Sequence, residues 1–448
     1  MHSKKYTKSK SKKLEAKDKA SKFIKHAVDY IGPLVNSLRE KLDKRLTYTV
    51  FDSFIGMLQF RDRTNSLLLS ELGAYVNGPE HAPAGTKRIS NLLRDKNWAH
   101  KDVQDFLLEK TKEKLNEEGK EGKRWLLHWD ESVIEKPESL KLEGLCSVHS
   151  SKGARLTHIR PGFYKKYPRI NVPGFEWSAG VLSSLSDRPT ITCMNWWTKR
   201  GKYRDERNNV LYRMLDQSSQ MIKQTQAEVW HVFDRGYANR TTLDYMINHF
   251  QQQFIVRWKS NLLLVNEKGE EKHTYRHSLG KKVMSTRKVW DKERKEWKKV
   301  GILYIPVHDP EINEKQLYLV IVRDKKKGRS PIYFLTDVQI DTVGMAWSIL
   351  KSYMKRWDVE QVFRFGKTAM GIQSPRLWFW ENRLKLLMLV TVVMDFVLTL
   401  LSDYRKFARK LIDRWCPRTG KRQKKTFLPL YRLRLAISWL ISRKLFPT

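Results

Sequence analysis

Acidic residues are scarce in this sequence: 48 Asp and Glu stand against 87 Lys and Arg, a formal net charge of +39 over 448 residues. Self-repulsion on that scale opposes a compact state and makes a polyanion the expected partner. An anionic membrane competes for that role, but usually needs an amphipathic or lipidated anchor as well. Cysteine is nearly missing. Cys146, Cys193 and Cys416 lie far apart with no CxxC pair, which argues against a structural zinc site and for a reducing, cytosolic compartment. Long apolar runs are missing too. The longest, LLMLVTVVMDFVLTLL from Leu386 to Leu401, is interrupted by Asp395 and falls short of the roughly 18 to 20 residues that span a bilayer. A buried helix is expected there, and no membrane partner. The sequence shows no internal repeat and no GxxxxGK[ST], HExxH or GxSxG. Phosphate-loop, zincin and serine-hydrolase chemistry are therefore left without their usual motifs.

The stretch MHSKKYTKSKSKK carries six Lys in thirteen residues and no apolar core. Residues 1–13 are expected to form a disordered basic arm that neutralises phosphates, and not a signal peptide. From 14 to 119 apolar residues recur at three- and four-residue spacing, which predicts a helical region with a DNA-binding role. Within it NGPEHAPAGTKRISNLLRDKNW leads from a Gly/Pro-rich loop into a short basic helix, with Thr86 as cap and Lys87, Arg88 and Arg94 as candidate groove contacts. A solvated amphipathic helix is the bland alternative.

Past residue 120 the pattern changes. WLLHWD, FEWSAGVLSSLS and PTITCMNWW predict strands, RDERNNVLYRMLDQSSQMIKQTQ a helix, VWHVFD a strand, TTLDYMINHF a helix and QFIVRW a strand. This order implies an α/β class with a mixed sheet flanked by helices, formed by 120–259 and 338–402. Between the two pieces, 260–337 is expected as an all-β insertion containing two charged hairpins. DTVGMAWSILKSYMKRWDVEQVFRFGKTAM then predicts one long helical stretch, and 403–448 a basic helical C-terminal region.

In a chain so poor in acids, three carboxylates stand out. Asp130 ends WLLHWD and Asp234 ends VWHVFD, positions that project a side chain from the rim of a sheet. Either alone is more often a cap or turn residue. On the later helix Tyr353, Arg356, Trp357, Glu360, Arg364 and Lys367 fall within a sector of roughly 100°, while Met354, Val359, Val362 and Phe365 lie on the other side. A simple Glu360–Arg356 or Glu360–Arg364 pair would contribute only a few tenths of a kcal/mol, about 0.2–0.5, and would not explain the aromatic neighbour Trp357. Three carboxylates brought together repel unless a cation neutralises them. Hard oxygen ligands favour Mg²⁺ or Mn²⁺, and two such ions suit an in-line displacement at phosphorus. The surrounding Arg and Lys would hold phosphates, with Tyr353 and Trp357 against a displaced base.

At these residues the sequence resembles the DDE transposases of bacterial insertion sequences, in the group marked by Y-x2-R-x3-E-x6-K. Tyr353, Arg356, Glu360 and Lys367 match that signature, and FDRGYANRTTLDYM matches the surroundings of the group's second Asp. EWSAGVLSSLSDRPTITCMNWWTKR is similar to its middle strands, closed by Trp196 and Trp197. The resemblance covers about residues 85–400. It implies a ribonuclease-H-like core in which Asp130, Asp234 and Glu360 are catalytic and hold the metal ions, with Arg356, Arg364 and Lys367 on DNA phosphates. It also implies cutting of inverted-repeat transposon ends and joining to target DNA by a homodimer, in the bacterial cytoplasm at the nucleoid. Some relatives form a DNA hairpin with a Trp of the insertion; this chain has Ile332 and Tyr333 near that spot. Two other readings stay open: a metal-dependent nuclease without strand transfer, and a repurposed DNA-binding protein descended from a transposase.

Overall fold

The computed structural model describes residues 2–59, 66–118, 123–139, 141–150, 170–291, 296–312, 315–324, 330–416 and 428–445. The turns of the two charged hairpins (292–295 and 325–329), the expected boundary at 119–120 and the pieces 417–427 and 446–448 of the C-terminal region lie outside them.

Five helices open the chain: α1 (His2–Arg39), α2 (Lys44–Gln59), α3 (Leu69–Asn77), α4 (Ala82–Arg94) and α5 (His100–Glu118). Two expectations are corrected here. Residues 2–13 belong to α1 instead of a disordered arm; lysine is a good helix former, and extending a helix that already exists avoids the nucleation cost. The basic helix starts four residues before Thr86, at Ala82, with a proline in its first turn, where the missing N–H costs nothing. Thr86 is thus internal, its hydroxyl donating to the carbonyls of Ala82 (2.8 Å) and Leu69 (3.0 Å).

Among the described residues twelve strands form one mixed sheet. Its core comprises β1 (Trp125–Glu135), β2 (Cys146–His149), β3 (Asn171–Ser184), β4 (Thr190–Trp197), β5 (Val229–Phe233) and β6 (Phe254–Trp258). The central β1 pairs antiparallel with β3 and parallel with β5, which is parallel to β6. The crossover to β5 runs through α6 (Arg207–Lys223), and α7 (Arg240–Tyr245) links β5 to β6. Period-2 alternation sorts β1 between two layers. Trp125, Leu127 and Trp129 pack with Val210 and Leu211 of α6, while Leu126 meets Trp347 and Ile349 on the opposite face. Such two-sided burial is why the strand reads as a nearly continuous apolar run.

The insertion supplies β7 (Leu263–Asn266), β8 (Glu271–His273), β9 (Ser285–Asp291), β10 (Glu296–His308), β11 (Leu317–Asp324) and β12 (Ile332–Thr336). It is not all-β, because Thr274–Ser278 forms a short helix, α8. Nor is it a separate sheet: β12 pairs antiparallel with β6 and continues the core sheet outward. The edge that β6 would otherwise leave open is closed by this pairing.

The long helical stretch is likewise two helices, α9 (Val343–Lys355) and α10 (Trp357–Thr368), broken at Arg356. After it come α11 (Trp380–Ser402), α12 (Arg405–Trp415) and α13 (Leu430–Leu445). By length and composition α11 passes for a membrane span, yet its apolar window is wholly buried within the protein. It is the core helix of the fold, apolar all round because it is covered all round. One apolar cluster joins it to both neighbours: Phe23, Tyr30 and Phe54 of α1 and α2, and Trp177 and Val181 of β3. The N-terminal helices therefore share a core with the sheet. The buried acid of this helix, Asp395, accepts from the Tyr30 hydroxyl and from the Ile191 amide, both at 2.7 Å. Burial raises its carboxyl above the usual range, against these two donors and Lys110.

Asp395→Leu strands both donors and is expected to lower stability by about 2–4 kcal/mol. Asp395→Asn offers an acceptor and a donor in the same volume and should stay within about 1 kcal/mol. Urea-unfolding midpoints of the two variants check this.

Candidate active site

Parallel pairing of β1 with β5 ends at Trp129–Phe233. The next residue on each strand is an aspartate, Asp130 and Asp234, so their backbones are neighbours on strands about 5 Å apart. Asp130 is not the end of its own strand, since β1 runs on to Glu135 along β3; it is the point where the partner on the other side stops. Asp234 leaves β5 and caps the turn that follows, accepting from the Gly236 amide.

Arg356 brings in the third carboxylate. Its Nη1 donates to Asp130 Oδ2 at 2.7 Å and its Nη2 to Glu360 Oε1 at 2.5 Å. The i,i+4 ion pair considered above is thus present, but the same guanidinium also reaches across to the sheet. Burial pushes Asp130 up to about 7; Arg356 pulls the other way, and Asp234 and Glu360 push up further. Burial is the leading cause, with the neighbouring carboxylates adding to it. Among the described residues no three acidic, His or Cys side chains converge on one point as they stand. Arg356 is the cation between two of them. The donor chemistry, hard oxygens arranged around a positive charge, fits a hard dication.

The remaining predicted residues divide. Lys367 comes to the site, its Nζ donating to Ser132 Oγ at 2.7 Å, two residues beyond Asp130 on the same face of β1. Arg364 is exposed one turn past Glu360. Tyr353 lies in α9, where its ring packs on Phe334 (centroids 4.7 Å apart) and burial raises its hydroxyl pKa. It forms wall, not platform. Trp357 is the exposed aromatic of the stripe. It lines a cavity of about 530 Å³ with Arg257, Trp290, Lys298, Tyr353 and Glu360. Ile332, at the start of β12, lines it too. Val359, Val362 and Phe365 are buried as expected, while Met354 borders the cavity. Trp196 and Trp197 are core residues: Trp196 lies parallel to Trp177, and Trp197 donates to Ser178 Oγ at 3.1 Å.

The basic helix fares differently. Arg88 is no free groove contact, because its two Nη atoms donate to Asn77 (2.6 Å) and Asp52 (2.7 Å). Lys87 and Arg94 are exposed.

Sequence reasoning missed Glu131 and Arg207. Glu131 follows Asp130 and so points to the other face of β1, where Arg207 Nε holds it at 2.7 Å. Burial raises the Glu131 carboxyl, and Arg207 opposes that rise. The same guanidinium lies 4.8 Å from the Tyr237 ring centre, directly after the Asp234 turn. The pair therefore ties β1, the first turn of α6 and the Asp234 turn together. The signal was in view, since an acidic doublet inside an apolar strand needs a partner on each face. Arg257 in FIVRW carried a similar one, a cation within an apolar strand.

No protein-family profile matches this chain, and no curated protein is similar to it.

A double-mutant cycle of Glu131→Gln and Arg207→Gln is expected to show about 1–2 kcal/mol of coupling in unfolding free energy. A coupling near zero would mean the pair does not tie these elements together.

Proposed function

We propose that this chain is a metal-dependent DNA-cutting and DNA-joining enzyme of the transposase type, with a ribonuclease-H-like core. The observation that carries the reading is the placement of Asp130 and Asp234 directly after the paired ends of adjacent parallel strands, with Arg356 donating to both Asp130 and Glu360 beside a cationic and aromatic cavity. The strand order supports the core assignment: β4, β3 and β1 run antiparallel in sequence, and β5 and β6 then add parallel to β1.

Asp130, Asp234 and Glu360 would hold Mg²⁺ or Mn²⁺, two ions in number. Bound there, the metal would supply Lewis-acid activation of a water or 3′-hydroxyl and neutralise charge at phosphorus. The chain's own residues do the rest. Lys367, fixed on Ser132, and exposed Arg364 present positive charge along α10 and bind non-reacting phosphates. Trp357, with Trp290 across the cavity, offers ring surface to a base displaced from the duplex. Arg356 orients Glu360 and neutralises Asp130 until the metal arrives. The partners are double-stranded DNA, as element ends and as target, and a second copy of the chain in a synaptic homodimer. The setting is the bacterial cytoplasm, at the nucleoid.

The Arg356 bridge itself favours a second reading. A DNA-binding protein that no longer cuts would keep Asp130 and Glu360 permanently paired to that arginine. A nuclease without strand transfer shares the first reading's chemistry, and pre-cut ends offered with target DNA separate the two.

Asp130→Ala, Asp234→Ala and Glu360→Ala are each expected to lower Mg²⁺-dependent cutting of the DNA flanking the gene by about 1,000-fold. Binding of the same DNA should stay within about threefold of wild type. Normal cutting by any one of the three rejects the assignment, and a wild-type chain that binds those ends without cutting them favours the second reading.

A further inference from the structure

A second cavity, of about 430 Å³, lies beyond Arg257 on the other side of the β6–β12 junction. Arg235, Arg257, Trp258, Ser260, Tyr275 and Tyr333 line it. Arg235 is the residue after Asp234, in the turn that ends β5. Arg257 and Ile332 line both this cavity and the one holding Trp357 and Glu360, so the two are neighbours across an arginine and an apolar side chain.

Three features point to the same kind of ligand. No carboxylate is among the described residues that line this cavity, and Arg257 is bound on its other side by the Tyr353 hydroxyl, not by an acid. Two guanidiniums facing one recess without an acid favour an anion with several acceptor oxygens. Tyr275 is 40% exposed, so its ring is open to a ligand. Its hydroxyl accepts from Arg276 Nε at 3.1 Å, and its ring lies within 13° of parallel to that of His273. The ring is thereby held in place as a flat surface. A phosphate site next to a fixed aromatic face matches a nucleotide, and the volume suits one nucleotide and excludes a duplex.

We infer that this cavity is a second nucleotide subsite. It takes one nucleotide of the DNA strand that continues past the scissile phosphate, with the phosphate on Arg235 and Arg257 and the base on Tyr275. The shared Arg257 makes a polynucleotide the occupant, because one strand threading both cavities passes this residue. The inference rests on the reading of Asp130, Asp234 and Glu360 as a DNA-cutting centre.

The test uses the full chain and a twelve-residue oligothymidylate carrying 5-iodouracil, irradiated at 0.15 M salt without divalent metal. The expected adduct is on the peptide containing Tyr275. Tyr275→Ala should weaken binding of this oligonucleotide by about 5- to 30-fold, the range of one lost base–aromatic stack, while Tyr275→Phe, which keeps the ring, binds as wild type. Adducts found only outside this cavity, or unchanged binding by Tyr275→Ala, overturn the proposal. The Asp130→Ala chain should cross-link at Tyr275 as wild type does, so failure of cutting and failure of this subsite are read separately. If Asp130→Ala cuts normally, the cutting-centre reading falls while the adduct still reports on the subsite.

Discussion

One guanidinium joins segments 226 residues apart. Arg356 touches Asp130 on β1 and Glu360 on α10 from the break between two helices, and much of the site's geometry depends on that bridge. A carboxylate as buried as Asp130 is costly without a neighbouring cation, so the arginine keeps the sheet and the helix pair in a fixed relation. The interruption between α9 and α10 is slight, since Arg356 keeps right-handed helical dihedrals. Before it Tyr353 buries on Phe334, and after it Lys367 reaches Ser132 further along β1.

Strand β1 carries the counterpart of this arrangement. Consecutive acids on a strand face opposite ways, and each of the two here has its own arginine: Asp130 with Arg356, Glu131 with Arg207. Asp234 lies between the two systems and adds to the electrostatic load on both carboxylates. Asp130, Glu131, Asp234 and Glu360 thus gather where one strand meets two layers of helices. The chain's surplus of Lys and Arg over acids suits a polyanion.

Much of this was legible in the sequence, for definite physical reasons. The strands WLLHWD, VWHVFD and FIVRW are short apolar runs bounded by turns, and α11 shows as an apolar run interrupted by Asp395 and shorter than a bilayer span. The order of strands and helices, and the neighbourhood of Asp130 and Asp234, follow from such local patterns. What was not legible depends on distant partners. Cys146–His149 is too short to show a period. The reach of Arg356 to Asp130 is an ion pair to another element, which a helical wheel does not show. Arg88 looks like a groove contact until α2 and α3 supply Asp52 and Asn77. The insertion was visible as β-rich, but its union with the core sheet rests on the β6–β12 register, which no local pattern encodes.

Helix α11 has a consequence in time. It is the shared floor of the N-terminal helices and the sheet, yet it is among the last elements to be synthesised. A nascent chain holds the aromatic side of α1 and α2, including Phe23, Tyr30 and Phe54, without one of its covering surfaces until residue 402 has emerged. The hydroxyl of Tyr30 waits equally long for Asp395. The basic N-terminal region therefore takes its final shape only once the residues proposed to cut DNA have all been made. Domain-by-domain folding from the N-terminus gives way here to a late, joint closure around a single buried helix.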